Sequence, residues 1–349
     1  MKKYFALVLA LAMALSLVAC GSSGSAGSAA GSATGSAEKM KSSEPITISL
    51  SNAYSDMDQV NVELKTAADN IAQRTNGAVK LTIYPNNTLG SPADAVEAIR
   101  SDAPLLYVTA FSQWEDYYPD ACALQAAFVF DSAEECVRFY DTDLFSKVVE
   151  NLDAVNIHCI NCSFTAGMRH VLGKKQIKTP DDMKGLKLRV PSSSPYLDCF
   201  NSLGANPIAM ASSEQINALS SGTIDAVDQS ISLMYSTKTY ELVKECTLLA
   251  QMPLSDGLYC STNFWNSIPA DYRSIIEEEL HNAGQRYYDY SMKNEAKMRT
   301  ELEAAGVHFY EVDRAPFAAL AQKNVLKYSI GQEVLDTVAQ IRADIAAGK

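Results

Sequence analysis

The stretch Lys184–Gln229, "KGLKLRVPSSSPYLDCFNSLGANPIAMASSEQINALSSGTIDAVDQ", decides the fold. It opens on a strand in which Leu186, Leu188 and Val190 alternate with Lys187 and Arg189 until Pro191 stops the run. The alternation sets Lys187 and Arg189 on the face opposite the aliphatic one. A helix follows between Ser194 and Gly204, then a strand over "ANPIAM", a second helix that ends at Gly222, and a third strand over "TIDAVDQ". This order implies a parallel sheet, whose ligand crevice opens beyond the carboxyl ends of its strands. Arg189 stands where the chain leaves the first of those strands.

Working outward toward the N-terminus, the same grammar appears again. "ITISLS" (Ile46–Ser51) alternates as a strand, and "DQVNVELKTAADNIAQRTNG" is an amphipathic helix that stops at Gly77. "AVKLTIYP" is the next strand; "SPADAVEAIRS" is a helix with Ser91 as N-cap and Pro92 at its first position; "APLLYVTAF" is a third strand. The unit that holds Arg189 opens before Lys184, on a strand, "CINCSFTAG", and a short helix, "TPDDMKG", capped by Thr179 and started by Pro180, which leads into "GLKLRVP". No internal sequence repeat relates the units.

Toward the C-terminus, Gly284 is the only helix breaker between Pro269 and Gly306, so this segment is one very long helix or two in line. A helix of more than about 30 residues spans some 45 Å, longer than one domain, and suits a beam laid across both. The apolar spacing around Ile275, Ile276, Leu280 and Tyr287 is not a sustained heptad, which argues against coiled-coil dimerisation.

The 349 residues, 47% of them hydrophobic, suffice for two domains with real cores. A formal net charge of −12 argues against a nucleic-acid partner, which needs clustered Lys and Arg. It does not exclude a small anion, because a local cationic pocket can outweigh the charge of the whole chain.

Residues 1–20 read as an export signal: Lys2 and Lys3 precede an apolar run from Phe5 to Val18, too short to span a bilayer comfortably. The run ends in "LVAC", Leu17–Cys20, which resembles a bacterial lipobox, so Cys20 is the expected lipidation site. The alternative is an ordinary signal peptide with an unremarkable cysteine. The Gly/Ser/Ala-rich segment that follows, within 21–44, reads as a flexible tether and favours the anchored form. The mature protein is expected outside the cytoplasmic membrane.

Seven further cysteines, Cys122, Cys136, Cys159, Cys162, Cys199, Cys246 and Cys260, are too scattered for a disulfide framework. "HCINC" (His158–Cys162) has metal-ligand spacing but no second C-x-x-C or H-x-H partner, and core cysteines are the better reading. No metal and no cofactor is expected. His158, His170, His281 and His308 stand in no G-x-S-x-G or H-E-x-x-H context, so an exported hydrolase is disfavoured.

Four segments together carry a family resemblance: "TNGAVKLTIYPNNTLGSPADAVEAIRS", "GMRHVLGKKQIKTPDDMKGLKLRVPSSS", "LGANPIAMASSEQINALSSGTIDAVDQS" and "FWNSIPADYRSII". In this order they resemble the solute-binding proteins of TRAP transporters, the DctP type, from about Ile46 to the C-terminus. The resemblance implies an α/β, two-domain, periplasmic-binding-protein-like fold that closes like a hinged trap, with crossover strands and a long helix shared by both domains. The expected division is 45–165 with 255–295, and 166–254 with 296–349. It also implies a monomer that delivers an organic acid to a cation-coupled membrane permease. A sensory binding protein for a signalling system would use the same trap.

Within that resemblance the arginine of the "K-x-R-V-P" strand, here Arg189, pairs with a ligand carboxylate, and the "G-x-R" arginine falls on Arg169. A guanidinium is always charged and its planar fork matches two carboxylate oxygens. Read without the motif, either arginine serves equally well as a solvated or salt-bridged charge. Two positions depart from the family pattern: Gln229 stands where an asparagine is expected, and Ser212 where an aromatic is frequent. From the first domain, Asn52 and the segment Thr109–Trp114 lie at strand ends and are expected to supply the other jaw, although core packing serves Trp114 equally.

Overall fold

The computed structural model describes residues 44–349. The export signal, Cys20 and the tether up to residue 43 lie outside the described residues. Chain order is β1 (Ile46–Asn52), α1 (Gln59–Arg74), β2 (Val79–Tyr84), α2 (Pro92–Arg100), β3 (Leu105–Thr109), α3 (Ala133–Phe139), α4 (Asp143–Ala154) and β4 (His158–Gly173). It continues through β5 (Lys187–Val190), α5 (Ser194–Ser202), β6 (Asn206–Ala209), α6 (Gln215–Ser221), β7 (Ala226–Ser230), α7 (Ile231–Thr237), β8 (Glu245–Thr247) and β9 (Pro253–Cys260). The last elements are α8 (Thr262–Ser267), α9 (Ala270–Ala304), β10 (His308–Tyr310), α10 (Ala315–Ala321) and α11 (Gly331–Ala346).

The strand path β2-β1-β3-β9-β4-β7-β5-β6 explains how two lobes share one backbone framework. β1 pairs in parallel with β2 and β3, and β5 in parallel with β6 and β7, as the two α/β readings require. Between these trios run β9 and β4, antiparallel to each other and to their neighbours. β4 pairs with β9 from His158 to Met168, with β7 from Arg169 to Gly173 and with β8 from Val171 to Gly173, so one strand of 16 residues serves both lobes. Its register slips three times before Met168, and Gly167 at φ +76° supplies a conformation that other residues rarely adopt.

α9 is a single helix of 35 residues, roughly 52 Å long. Its first half buries Ile276, Leu280, Ala283 and Tyr287 in the core of the first lobe, around β1 and β3; its second half buries Met298 and Leu302 in a core of the second lobe. The beam reading therefore holds, and Gly284 does not break the helix.

One segment lies elsewhere than expected. The sequence reading placed 296–349 whole with the second domain, but α11 buries Val334, Val338 and Ile341 with Phe139, Phe145 and Tyr259 of the first lobe. An amphipathic face shows that a helix is half-buried but not against what.

Candidate functional site

A cavity of about 530 Å³ opens between the lobes, at the carboxyl ends of the strands. Its walls come from the turn after β1 (Ala53, Tyr54), the end of β3 (Thr109, Ala110), the exit of β5 (Pro191, Ser192) and the segment after β6 (Met210, Ser212). Arg169 of β4 and Asp256 of β9 reach it from the crossover strands.

Arg189 is 6% exposed. Its Nε and one Nη donate to the Met210 carbonyl at 3.0 and 2.8 Å; Nη1 has no partner among the described residues. Desolvation by burial, together with repulsion from Arg169, lowers its pKa to about 10. A nearby anion would reverse both effects, because an opposite charge favours the protonated form.

Arg169 is also buried, but it is largely spoken for. Its Nε donates to Asp228 Oδ2 at 2.8 Å and its Nη2 to the Asp228 carbonyl at 2.7 Å, and the guanidinium sits 5.2 Å from the centre of the Tyr196 ring. Burial raises the pKa of the Asp228 carboxyl, while Arg169, Arg189 and the Gln251 amide oppose that shift. A buried pair of this kind makes each member depend on the other: removing one strands a charge at a cost of about 3–5 kcal/mol. Only Nη1 of Arg169 is left without a partner among the described residues, so the salt-bridged reading describes most of this side chain.

Asp256 accepts a hydrogen bond from the Tyr54 hydroxyl at 2.7 Å on Oδ2, while Oδ1 has no partner among the described residues. Desolvation raises its carboxyl to about 6, against the opposing influence of Tyr54 and Arg169. Tyr107 and Tyr196 add phenol rings to the wall, and Glu115 accepts from the Ser194 backbone N–H at 3.1 Å, tying the first lobe to the start of α5.

Of the residues expected at the site, Arg189, Arg169, Thr109 and Ser212 line the cavity. Gln229, Asn52 and Trp114 do not. Every residue of β7 is buried, so strand alternation does not select which side chain faces ligand. Gln229 instead closes a polar ring, donating to Gln215 Oε1 and Thr237 Oγ1 and accepting from Thr239 Oγ1 at 2.6 Å. Asn52 Oδ1 accepts from the Tyr54 N–H at 3.0 Å and its Nδ2 donates to Asn61, which fixes the turn that presents Tyr54. Trp114 is fully buried against Tyr259, ring centres 5.1 Å apart, in the core of the first lobe.

Sequence reasoning missed Tyr54, Tyr196 and Asp256. A signal existed for Asp256: it is the only charged residue in the strand "PLSDGLYC". His170, in β4 beside Arg169, accepts the Ala250 N–H on Nδ1, and desolvation lowers its pKa to about 3, so it is neutral there. Cys159 and Cys162 are buried, and no group of side chains suited to a metal occurs among the described residues.

Residues 50–331 match the DctP family, described as bacterial extracellular solute-binding protein, family 7. The chain belongs to that family. A TRAP periplasmic solute-binding protein from Fusobacterium nucleatum with bound sn-glycerol-3-phosphate is 30% identical, with a TM-score of 0.83 over 86% of this chain and 99% of the other. One from Desulfovibrio salexigens in complex with diglycerolphosphate is 28% identical, with a TM-score of 0.85 over 87% and 100%. The C4-dicarboxylate-binding periplasmic protein of Rhodobacter capsulatus is 25% identical over 79% of this chain and 83% of its own. This is thus a TRAP-type, extracytoplasmic solute-binding protein and not an enzyme, and its α/β fold is that of the family.

Proposed function

We propose that this DctP-family protein is anchored by a lipid on Cys20, closes its lobes as a monomer on a small organic anion, and passes it to the membrane subunits of a TRAP transporter. The observation that carries the reading is Arg189: a buried guanidinium at a cavity wall, with one nitrogen unpartnered among the described residues and a positive charge that no carboxylate bonded to it compensates. Arg169 Nη1, Thr109 and Ser212 contribute to the polar lining; Gln229, Asn52 and Trp114 act from behind it. A carboxylate fits the planar fork. A phosphate ester is the second reading, favoured by the sn-glycerol-3-phosphate and diglycerolphosphate held in the Fusobacterium and Desulfovibrio structures.

Mass spectrometry of small molecules released from the purified protein tests the class directly. A retained acid is the expected result, and a retained neutral sugar overturns it. Intact-mass analysis of the mature N-terminus tests the anchor: diacylated Cys20 supports it, and an unmodified residue beyond Gly21 removes it. Small-angle scattering with saturating ligand tests closure, since only the closed form gains contacts from both lobes. An unchanged radius of gyration would count against the trap.

A further inference from the structure

The charges around the cavity do not suit a simple anion. Its lining holds two cations, Arg169 and Arg189, but four carboxylates, Glu97, Glu115, Asp116 and Asp256. Arg169 is in addition neutralised from behind by Asp228. Glu97 and Asp116 are exposed at the rim, and Glu115 and Asp256 lie further in, so the inner wall sets two carboxylates against the one cation, Arg189, that has no carboxylate partner. Asp256 is the telling member, because it is partly buried at the cavity wall, on a crossover strand, and in no ion pair among the described residues. An anion placed on Arg189 with Asp256 ionised nearby would leave one partly buried carboxylate uncompensated once the cleft closes, a costly arrangement unless the carboxylate takes up a proton.

We propose that the solute is a zwitterion, an acid whose anionic group takes Arg189 and whose ammonium group takes Asp256 between the Tyr54 hydroxyl and the neighbouring phenol rings. This rests on the Arg189 reading above and extends it to the other end of the ligand. The core of the site then sums to zero: Arg169 with Asp228, Arg189 with the acid group, Asp256 with the ammonium. Oδ1 of Asp256, without a partner among the described residues, is the acceptor. Tyr54 holds Oδ2 and so fixes the plane of the carboxylate. Tyrosine faces attract an ammonium through the ring quadrupole, which an uncharged hydroxyl in the same place would not exploit. The raised pKa of Asp256 agrees with a carboxylate placed to take a cation.

The test uses the whole protein, Asp256→Asn and Arg189→Ala, with a set of probes: the twenty protein amino acids, β-alanine to 6-aminohexanoate and D-glucosaminate, each set against its amine-free acid. Thermal shift finds binders and calorimetry ranks them. The expected result is an amine-bearing acid that binds at least about tenfold tighter than its amine-free counterpart, as loss of one buried charge partner should produce. Asp256→Asn should abolish that preference. Calorimetry near pH 6 in buffers of different ionisation enthalpy gives a second readout: proton release on binding if Asp256 is held ionised, uptake if a simple acid drives it neutral. The titratable and charged groups that face Asp256 are Tyr54, Tyr107, Arg169, Tyr196, Tyr259 and Tyr287, and none of them titrates near pH 6 as Asp256 does. The proposal is overturned if no amine-bearing acid binds, or if amine-free acids bind as tightly and Asp256→Asn leaves them unchanged. If such acids bind to the wild type and lose affinity in Arg189→Ala, only the zwitterion falls. If Arg189→Ala binds everything as the wild type does, the anion clamp itself fails.

Discussion

Gly284 of α9 lies against Ser163 of β4, so close that a Cβ built at 284 would stand 1.8 Å from Ser163 Oγ, 2.6 Å from its Cβ and 3.0 Å from its backbone carbon. The helix shared by the lobes and the strand shared by the lobes meet at this point, backbone nearly to backbone. Glycine inside a helix costs about 1 kcal/mol relative to alanine, so by propensity alone Gly284→Ala should stabilise. Overpacking typically costs about 1–3 kcal/mol, and here part of the obstruction is main chain. Gly284→Ala is therefore expected to lower stability in denaturant titration. Adding Ser163→Ala should recover only part, because the Cβ and the backbone carbon of residue 163 remain.

Asp256 makes apo stability depend on pH. Its carboxyl titrates at about 6 in the fold against an ordinary 3.8, so between these values the native state holds more protons than the unfolded chain. Stability from this group thus falls as pH rises through that window and stays low above it, by roughly 2–3 kcal/mol at 1.36 kcal/mol per pH unit. His170 acts in the opposite sense. Its pKa is lowered from 6.5 to about 3, so the fold holds fewer protons below 6.5 and acid destabilises it. From pH 4 to 6 the slopes of these two groups oppose each other. Asp256→Asn, which keeps an acceptor for Tyr54, removes one slope. The variant should gain on the wild type as pH rises through this window, read as the difference between two sets of denaturation curves.

Much of the architecture was legible because helices and strands are punctuated locally. Pro191 ends β5, Gly222 ends α6 at φ +73°, and Ser91 with Asp94 forms a reciprocal cap on α2. Arg189 could be placed at a strand end for the same reason. What the sequence withheld is long-range. Nothing in the apolar stripe of α11 says that it returns to the first lobe, and nothing in β7, buried on both faces, says that Asp228 meets Arg169 while Gln229 turns into a polar ring. Trp114 read equally as ligand wall or core until its contact with Tyr259 was placed.

Gln229 yields a different expectation from the one its motif position suggests. Its three side-chain hydrogen bonds go to Gln215, Thr237 and Thr239, all behind the cavity wall. Shortening it by a methylene in Gln229→Asn should break at least one of them and leave a buried polar group unpaired, at about 1–3 kcal/mol. Thermal melting should therefore drop, while the rank order of bound acids stays that of the wild type. A changed ligand preference at unchanged stability would return Gln229 to the ligand.

Arg189 carries the largest effect on binding. A ligand anion paired with it in a closed, water-poor cleft depends on a charge that nothing nearby can replace, because Arg169 is already committed to Asp228. Truncating one partner of such a pair costs about 2–5 kcal/mol, and every 1.4 kcal/mol is about tenfold, so Arg189→Ala should weaken binding by roughly 30-fold or more. Arg189→Lys should recover only part. It returns the charge but not the planar fork, and one ammonium cannot both keep the two hydrogen bonds to the Met210 carbonyl and present a free nitrogen to the ligand in the same geometry. The fold should tolerate Arg189→Ala, since relieving the repulsion between Arg189 and Arg169 offsets the lost contacts with Met210, and Arg189→Lys keeps both the charge and a donor for that carbonyl. Calorimetric titration of the two variants decides the matter: near wild-type affinity in Arg189→Ala, with circular dichroism unchanged, would leave the anion without its clamp.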